Sequence, residues 1–204
     1  MSVRIRPGVP MKRDRYSMNN TIFKPYTVID NFLENPYDLI NRAESINYFT
    51  NEPVPFRNFN LSNQGKPSGV WRGYRSEQLD MIDPALFNKV NDQIIKAVLG
   101  IEQFQYMISS FLHKGDESID CTDLWHKDVN TLFAYILYLN PNPPSNSGTL
   151  IKVGDEICPI ENRFNRLVFY NSTLEHKVER FFGNSFQTSR LTLTGFVDKF
   201  AVSN

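Results

Sequence analysis

Cysteine is scarce in this chain: Cys121 and Cys158 are the only two among 204 residues. Two thiols cannot build a disulfide framework, so a reduced, cytoplasmic protein is the expectation. Net charge is missing too. The 22 Lys and Arg balance the 22 Asp and Glu, so no overall field draws the chain to nucleic acid or an acidic membrane. Nucleic acid is therefore disfavoured as a partner. No apolar run approaches the length of a membrane-spanning helix, and the first residues show no apolar stretch of the signal-peptide kind, so no membrane association is expected. No internal repeat is visible. Histidine is rare as well, with three in the whole chain, so each one asks for a reason.

What is present suits one domain. A hydrophobic share of 41%, with 16 Phe and 9 Tyr, is enough for a full core at this length. Charge is uneven only at the start. "MSVRIRPGVPMKRDRYSMNN" carries Arg4, Arg6, Lys12, Arg13 and Arg15 against Asp14, with Pro7 and Pro10. Residues 1–20 therefore read as a flexible, solvated basic arm, and residues 21–204 as a single domain.

After the arm, "FKPYTVIDNFL" reads as a strand entering a turn. In "NPYDLINRAESIN", Asn35 is placed as a helix N-cap and Pro36 at the first turn, with Leu39, Ile40, Ala43 and Ile46 at helical spacing. Residues 50–70 are rich in Pro, Asn, Gly and Ser and read as a long irregular connection bordering a functional site. A second helix runs from Asp83 as cap and Pro84 to the stop at Gly100, with an apolar stripe of Leu86, Val90, Ile94 and Ala97. Past residue 103 come short strand-like runs: "FQYMISSFL", "TLFAYILYLN", "GTLIKVG", "NRLVFYN", "EHKVER" and "SRLTLTGFV". Many short strands preceded by helices predict a mainly β fold with supporting α: a β-sandwich or jelly roll with the helices packed on one sheet.

"LWHKDVN" sets His126 and Asp128 two residues apart, so in an extended segment both side chains leave one face. His176, in "STLEHKVERF", begins another strand-like run. Two ligands on one segment and a third from a distant strand make a facial His, carboxylate, His set, the pattern of non-haem Fe(II) oxygenases. Taken alone, His176 reads first as a surface histidine on an edge strand. In "SRLTLTGFV", Arg190, Thr192, Thr194 and Phe196 share one face, while Leu191, Leu193 and Val197 share the other. A planar guanidinium flanked by hydroxyls is a carboxylate receptor. An arginine at a strand start could instead reach solvent, but that explains neither threonine.

These pieces resemble the Fe(II)- and 2-oxoglutarate-dependent dioxygenases, in particular the prolyl 4-hydroxylase-like branch of bacteria and phages, over residues 25 to 198. "YTVIDNFLENPYDLINRAES" is similar to that family's opening strand and helix, and "WHKD" to its His-x-Asp. "AYILYLNPNPPSNSGTLIKVG" is similar to its Tyr-Leu-Asn strand and Gly-Gly-Thr loop, with Ser147 before Gly148. "NRLVFYNSTLEHKVERFFG" is similar to the segment of its distal histidine, and "SRLTLTGFV" to its closing strand. The resemblance implies a double-stranded β-helix with His126, Asp128 and His176 as ligands of Fe(II). It implies that Arg190 pairs with the far carboxylate of 2-oxoglutarate, with help from Thr194 and Tyr138 and, more weakly, Thr192. Arg180 is the alternative carboxylate partner, because fourteen residues from His176 to Arg190 is a long separation. The implied activity uses dioxygen (O2) to hydroxylate a small-molecule or peptide substrate, with a peptidyl or free amino acid favoured, releasing succinate and CO2. The alternative is a non-oxidative cupin-type binding or sugar-handling protein that keeps the barrel.

His113, in "FLHKGDES", reads as structural or solvated. Lys127 should point away from the metal, and Trp125 should enter the core. Trp71, Tyr74 and Arg75 suit either the substrate mouth or the core.

Overall fold

The computed structural model describes residues 24–50, 72–100, 102, 104–185 and 187–202. The basic arm, Trp71 and nearly all of the long connection lie outside the described residues.

Ten strands and three helices follow the chain in the order β1 (Tyr26–Ile29), α1 (Tyr37–Glu44), β2 (Tyr48–Thr50), β3 (Tyr74–Ser76), α2 (Leu79–Ile82), α3 (Pro84–Leu99), β4 (Phe104–Gly115), β5 (Phe133–Tyr138), β6 (Thr149–Val153), β7 (Glu156–Ile160), β8 (Leu167–Asn171), β9 (His176–Val178) and β10 (Arg190–Val202) among the described residues. They form a seven-stranded sheet, β1-β8-β5-β10-β4-β3-β2, and a three-stranded sheet, β7-β6-β9. Neighbouring strands are antiparallel throughout. Two antiparallel sheets of this order make the double-stranded β-helix, or jelly roll, with helices on the large sheet.

The alternation along β10 divides the molecule. Leu191, Leu193 and Val197 join the core that the large sheet shares with Leu39 of α1 and with Val90 and Ile94 of α3. Each such side chain contributes about 1.5–3 kcal/mol by leaving water. The opposite, concave face holds a second apolar cluster, including Ile136 and Val168 of the large sheet and Ile151 and Ile160 of the small one. Polar side chains interrupt that inner cluster, and there the site lies.

Local signals explain most element boundaries. Asp83 caps α3 by accepting from the Leu86 amide at 3.0 Å, Pro84 occupies the first turn, and Gly100 ends the helix in the left-handed region at φ 66°. The buried stripe of α3 is Phe87, Val90, Ile94 and Ile95, whereas Ala97 is exposed. The expected stripe was therefore rotated, because the concave side of the helix is set by what it packs on rather than by spacing alone. Pro36, not Asn35, is the N-cap of α1, although the Asn35 side chain still accepts from the Tyr37 amide at 3.3 Å. Three short elements, β2, β3 and α2, and the strand β7 carry too few residues to show a period.

One glycine locks the helix layer to the sheet. Gly195 lies opposite Tyr135, whose ring crosses the space a Cβ would fill. Its hydroxyl then donates to Asn91 Oδ1 of α3 at 2.6 Å. Gly195→Ala is expected to displace that ring and cost about 1–3 kcal/mol, read as a lower Tm. An unchanged Tm would show that Tyr135 can repack.

Candidate metal centre and co-substrate pocket

His126 belongs to no continuous strand. It forms an isolated antiparallel bridge with His176, the first residue of β9. The His126 amide donates to the His176 carbonyl at 3.1 Å and the His176 amide to the His126 carbonyl at 2.9 Å, which fixes the imidazoles as a cross-strand pair. Their ring centroids are 4.3 Å apart. Two residues on, the Asp128 amide donates to the Ser172 carbonyl at 3.1 Å, so the extended course that places Asp128 beside His126 is held at both ends.

Each imidazole is oriented in the same way. His126 Nδ1 donates to the Leu124 carbonyl at 2.7 Å, and His176 Nδ1 to the Leu174 carbonyl at 3.0 Å. Since a carbonyl only accepts, the proton sits on Nδ1 and the Nε2 lone pair is left for the site. One ligand atom from each of His126, Asp128 and His176 lies within 4.8 Å of the others. His176 Nε2 is 3.5 Å from Asp128 Oδ2, and His126 Nε2 is 4.0 Å from Asp128 Oδ1.

The electrostatics fit a cation. Burial, reinforced by His126, lowers the His176 pKa to about 4, so the ring is neutral at pH 7. Burial raises the Asp128 pKa, and the nearby His126 and Arg75 side chains oppose that rise. Asp128 Oδ2 is buried and accepts no hydrogen bond. A carboxylate oxygen in that position is costly unless something positive meets it. Two imidazole nitrogens and a carboxylate are the donor set that suits Fe(II). The side chain of His126 remains 37% exposed against 6% for His176 and 11% for Asp128, so the centre opens to solvent on the His126 side.

Further along the concave face, Arg190 is 4% exposed and pairs in register with Gly115 of β4. Its Nε donates to the Ser147 carbonyl at 3.2 Å, and its guanidinium carbon lies 5.4 Å from the Tyr138 ring centroid. Burial lowers its pKa, with Tyr138 the first influence in the other direction. Thr192 is fully buried beside Tyr138 of β5, and its hydroxyl is 3.4 Å from that of Thr194. The Tyr138 hydroxyl donates to Thr149 Oγ1 at 2.7 Å. Arg190, Thr192, Thr194 and Tyr138 thus share one pocket wall. Arg180 is exposed and donates to the Ser145 carbonyl at 3.2 Å.

Other expectations fare unevenly. Lys127 is exposed, on the opposite side of the extended segment from His126 and Asp128. Trp125 does not enter the core: it is half-buried, with the Lys152 and Lys177 ammonium groups 4.4 Å and 5.5 Å from its ring centroid. Lysine stems can cover an indole that the small sheet leaves uncovered. His113 faces the concave side opposite Thr192, and its Nε2 donates to the Arg72 carbonyl at 2.6 Å. Burial, reinforced by Arg75, lowers its pKa to about 3, so it is a neutral wall of the pocket. Tyr170 was not singled out from sequence. It is buried with its ring 4.7 Å from that of His176, and the alternation of Val168 and Tyr170 in "NRLVFYN" carried that signal.

Residues 112–198 match the family model described as the 2OG-Fe(II) oxygenase superfamily, a span that contains His126, Asp128, His176 and Arg190. Over those residues the chain is similar to that superfamily. No curated protein matches this chain in sequence. Among solved structures it is similar to a prolyl hydroxylase from Trichoplax adhaerens in complex with a hypoxia inducible factor peptide fragment, at 15% identity and TM-score 0.55, covering 85% of this chain and 83% of that one. HygX from Streptomyces hygroscopicus, solved with nickel, 2-oxoglutarate and hygromycin B, gives 12% identity and TM-score 0.55, covering 89% and 84%. The α-ketoglutarate-dependent epimerase SnoN from nogalamycin biosynthesis gives 10% identity and TM-score 0.58, covering 88% and 78%. Such low identities establish the oxygenase fold and leave the substrate open, since one fold serves several reactions. Fe(II) and 2-oxoglutarate are the metal and co-substrate that the superfamily implies.

Proposed function

We propose that this oxygenase hydroxylates a peptidyl or free amino acid, with His126, Asp128 and His176 holding Fe(II) and with Arg190, Thr194, Tyr138 and Thr192 holding 2-oxoglutarate. The observation that carries the reading is a convergence. Three metal-type donors meet at a buried carboxylate oxygen without a donor, on the same concave face as a buried arginine. A non-oxidative cupin-type protein would have no use for that arginine.

When bound, the metal and co-substrate supply the oxidising chemistry: O2 converts 2-oxoglutarate to succinate and CO2, and one oxygen atom enters the substrate. The chain's own residues prepare for this. The Leu124 and Leu174 carbonyls hold both imidazoles in the tautomer that presents Nε2. Arg190, anchored through Nε on Ser147, keeps the rest of its fork for a distal carboxylate, which the Thr194 hydroxyl can supplement. Ile136, Val168 and Ile151 keep the interior poor in water. A peptide as substrate agrees with the peptide bound to the Trichoplax enzyme.

Incubating the chain with Fe(II), 2-oxoglutarate and O2 should release succinate. Prolyl peptides and free amino acids added singly should identify a product heavier by one oxygen atom. Succinate at the level of the iron-free control in every reaction would refute the proposal.

A further inference from the structure

One buried tyrosine on the concave face differs from the rest. Val168 and Tyr170 both point from β8 onto that face and join its apolar cluster. Tyr170 is 2% exposed, and among the described residues its hydroxyl makes no hydrogen bond. The other four buried tyrosines each donate: Tyr48 to the Ala43 carbonyl, Tyr74 to Asp116, Tyr135 to Asn91 and Tyr138 to Thr149. Buried polar groups are normally satisfied, so the exception points to a ligand. A phenylalanine would fill the same apolar space without the cost of burying a hydroxyl.

Two tyrosines mark the two ends of one space. The Tyr138 hydroxyl reaches the small sheet at Thr149 of β6, beside Arg190. The Tyr170 ring reaches that sheet at His176, with centroids 4.7 Å apart and planes inclined at 59°. His176 pairs with Ile151, two residues beyond Thr149 on β6. The large sheet agrees, since Tyr170 pairs with Ala134, four residues before Tyr138 on β5. Tyr170 therefore stands at the metal end of the pocket and Tyr138 at the far end. Two residues of β6 span ~7 Å, and Ile136, Val168 and Ile151 belong to the apolar cluster between. A short diacid suits such a space: polar at both ends, apolar in the middle. The Asp128 carboxylate and the Arg190 guanidinium both lie close enough to act on the Tyr170 hydroxyl, in opposite directions.

We infer that Tyr170 donates a hydrogen bond to the metal-bound end of 2-oxoglutarate, opposite the carboxylate that Arg190 holds. This rests on the proposed oxygenase site and adds a residue to it. A phenol keeps its proton at neutral pH, whereas the carboxylate and keto oxygens at that end only accept. Tyr170 thereby fixes the direction of the chelating head as Arg190 fixes the far carboxylate, and its ring packs on the His176 imidazole at the same time.

The test uses the full chain loaded with Zn(II), which has no redox chemistry, and reads binding by calorimetry. Tyr170→Phe removes one oxygen atom and keeps the ring against His176. It should take up Zn(II) as wild type does but bind 2-oxoglutarate about tenfold more weakly, the worth of one hydrogen bond to a charged group. Without 2-oxoglutarate its Tm should equal or exceed that of wild type; a lower Tm would mark a structural hydroxyl and overturn the inference. Pyruvate separates the two ends, because it has the chelating keto acid and no distal carboxylate. Read by competition with 2-oxoglutarate, pyruvate should weaken in Tyr170→Phe by the same factor, whereas Arg190→Lys should weaken 2-oxoglutarate alone. Unchanged 2-oxoglutarate affinity in Tyr170→Phe, or a loss that pyruvate does not share, would overturn the inference while leaving the oxygenase site standing. A wild-type chain that binds Zn(II) but no 2-oxoglutarate would remove both together.

Discussion

Asp128→Ala should leave a protein that folds but holds no metal. The two imidazoles alone lack the charge that makes the centre attractive to a divalent cation, and a loss of metal affinity beyond ~100-fold is expected, since even residues that only orient ligands are worth 10–100-fold. Turnover should vanish with it. The sign of the stability change makes the result specific. In the metal-free chain Asp128 is a buried carboxylate whose Oδ2 finds no donor, so its removal should leave the Tm unchanged or raise it. The wild type should gain Tm on adding Fe(II) or Zn(II), and the variant should not. Lys127→Ala, at an exposed position between the two ligands, should behave as wild type in both assays. Full metal loading of the double variant His126→Ala/His176→Ala would sink the ligand assignment.

Arg190→Lys should raise the apparent KM for 2-oxoglutarate by tenfold or more while leaving the metal stoichiometry intact. A buried charge-assisted pair is worth ~1.5–3 kcal/mol, which is roughly tenfold to a hundredfold in affinity. Lysine has the charge but neither the planar fork nor the Nε that Arg190 uses on the Ser147 carbonyl. A substitution of Arg180, which is exposed and donates to the Ser145 carbonyl, should do little. Titrating 2-oxoglutarate against both variants, with succinate as readout, separates them. Should the Arg180 variant be the one to lose co-substrate affinity, the pocket wall would have to be rebuilt around the loop after β9.

Much of this was legible before any coordinates. Strand alternation in "SRLTLTGFV" announced one polar and one apolar face, and Leu191, Leu193 and Val197 do pack beneath the helices. The cap, proline and terminal glycine of α3 depend only on local backbone chemistry, and they stand where local chemistry puts them. His-x-Asp is likewise a local geometry: two residues apart on extended chain, one face. These features were readable because their physical cause lies within a few residues.

Tertiary structure decided the rest, because its causes lie far apart in the chain. That His176 is a buried cross-strand partner of His126, rather than a surface histidine, follows from a bridge between segments fifty residues apart. Arg190 and Arg180 differ in burial, and only the packing of β10 between β4 and β5 encloses the first while the second stays in solvent. Trp125 and Ala97 were misplaced for the converse reason: hydrophobic character says that a side chain can be buried, not that anything is there to bury it. Arg75 lies at the limit of sequence reading. In "VWRGYRS" it is one arginine among several, and its inward face depends on pairing with a strand nearly forty residues later, in the register that sets Arg75 opposite His113.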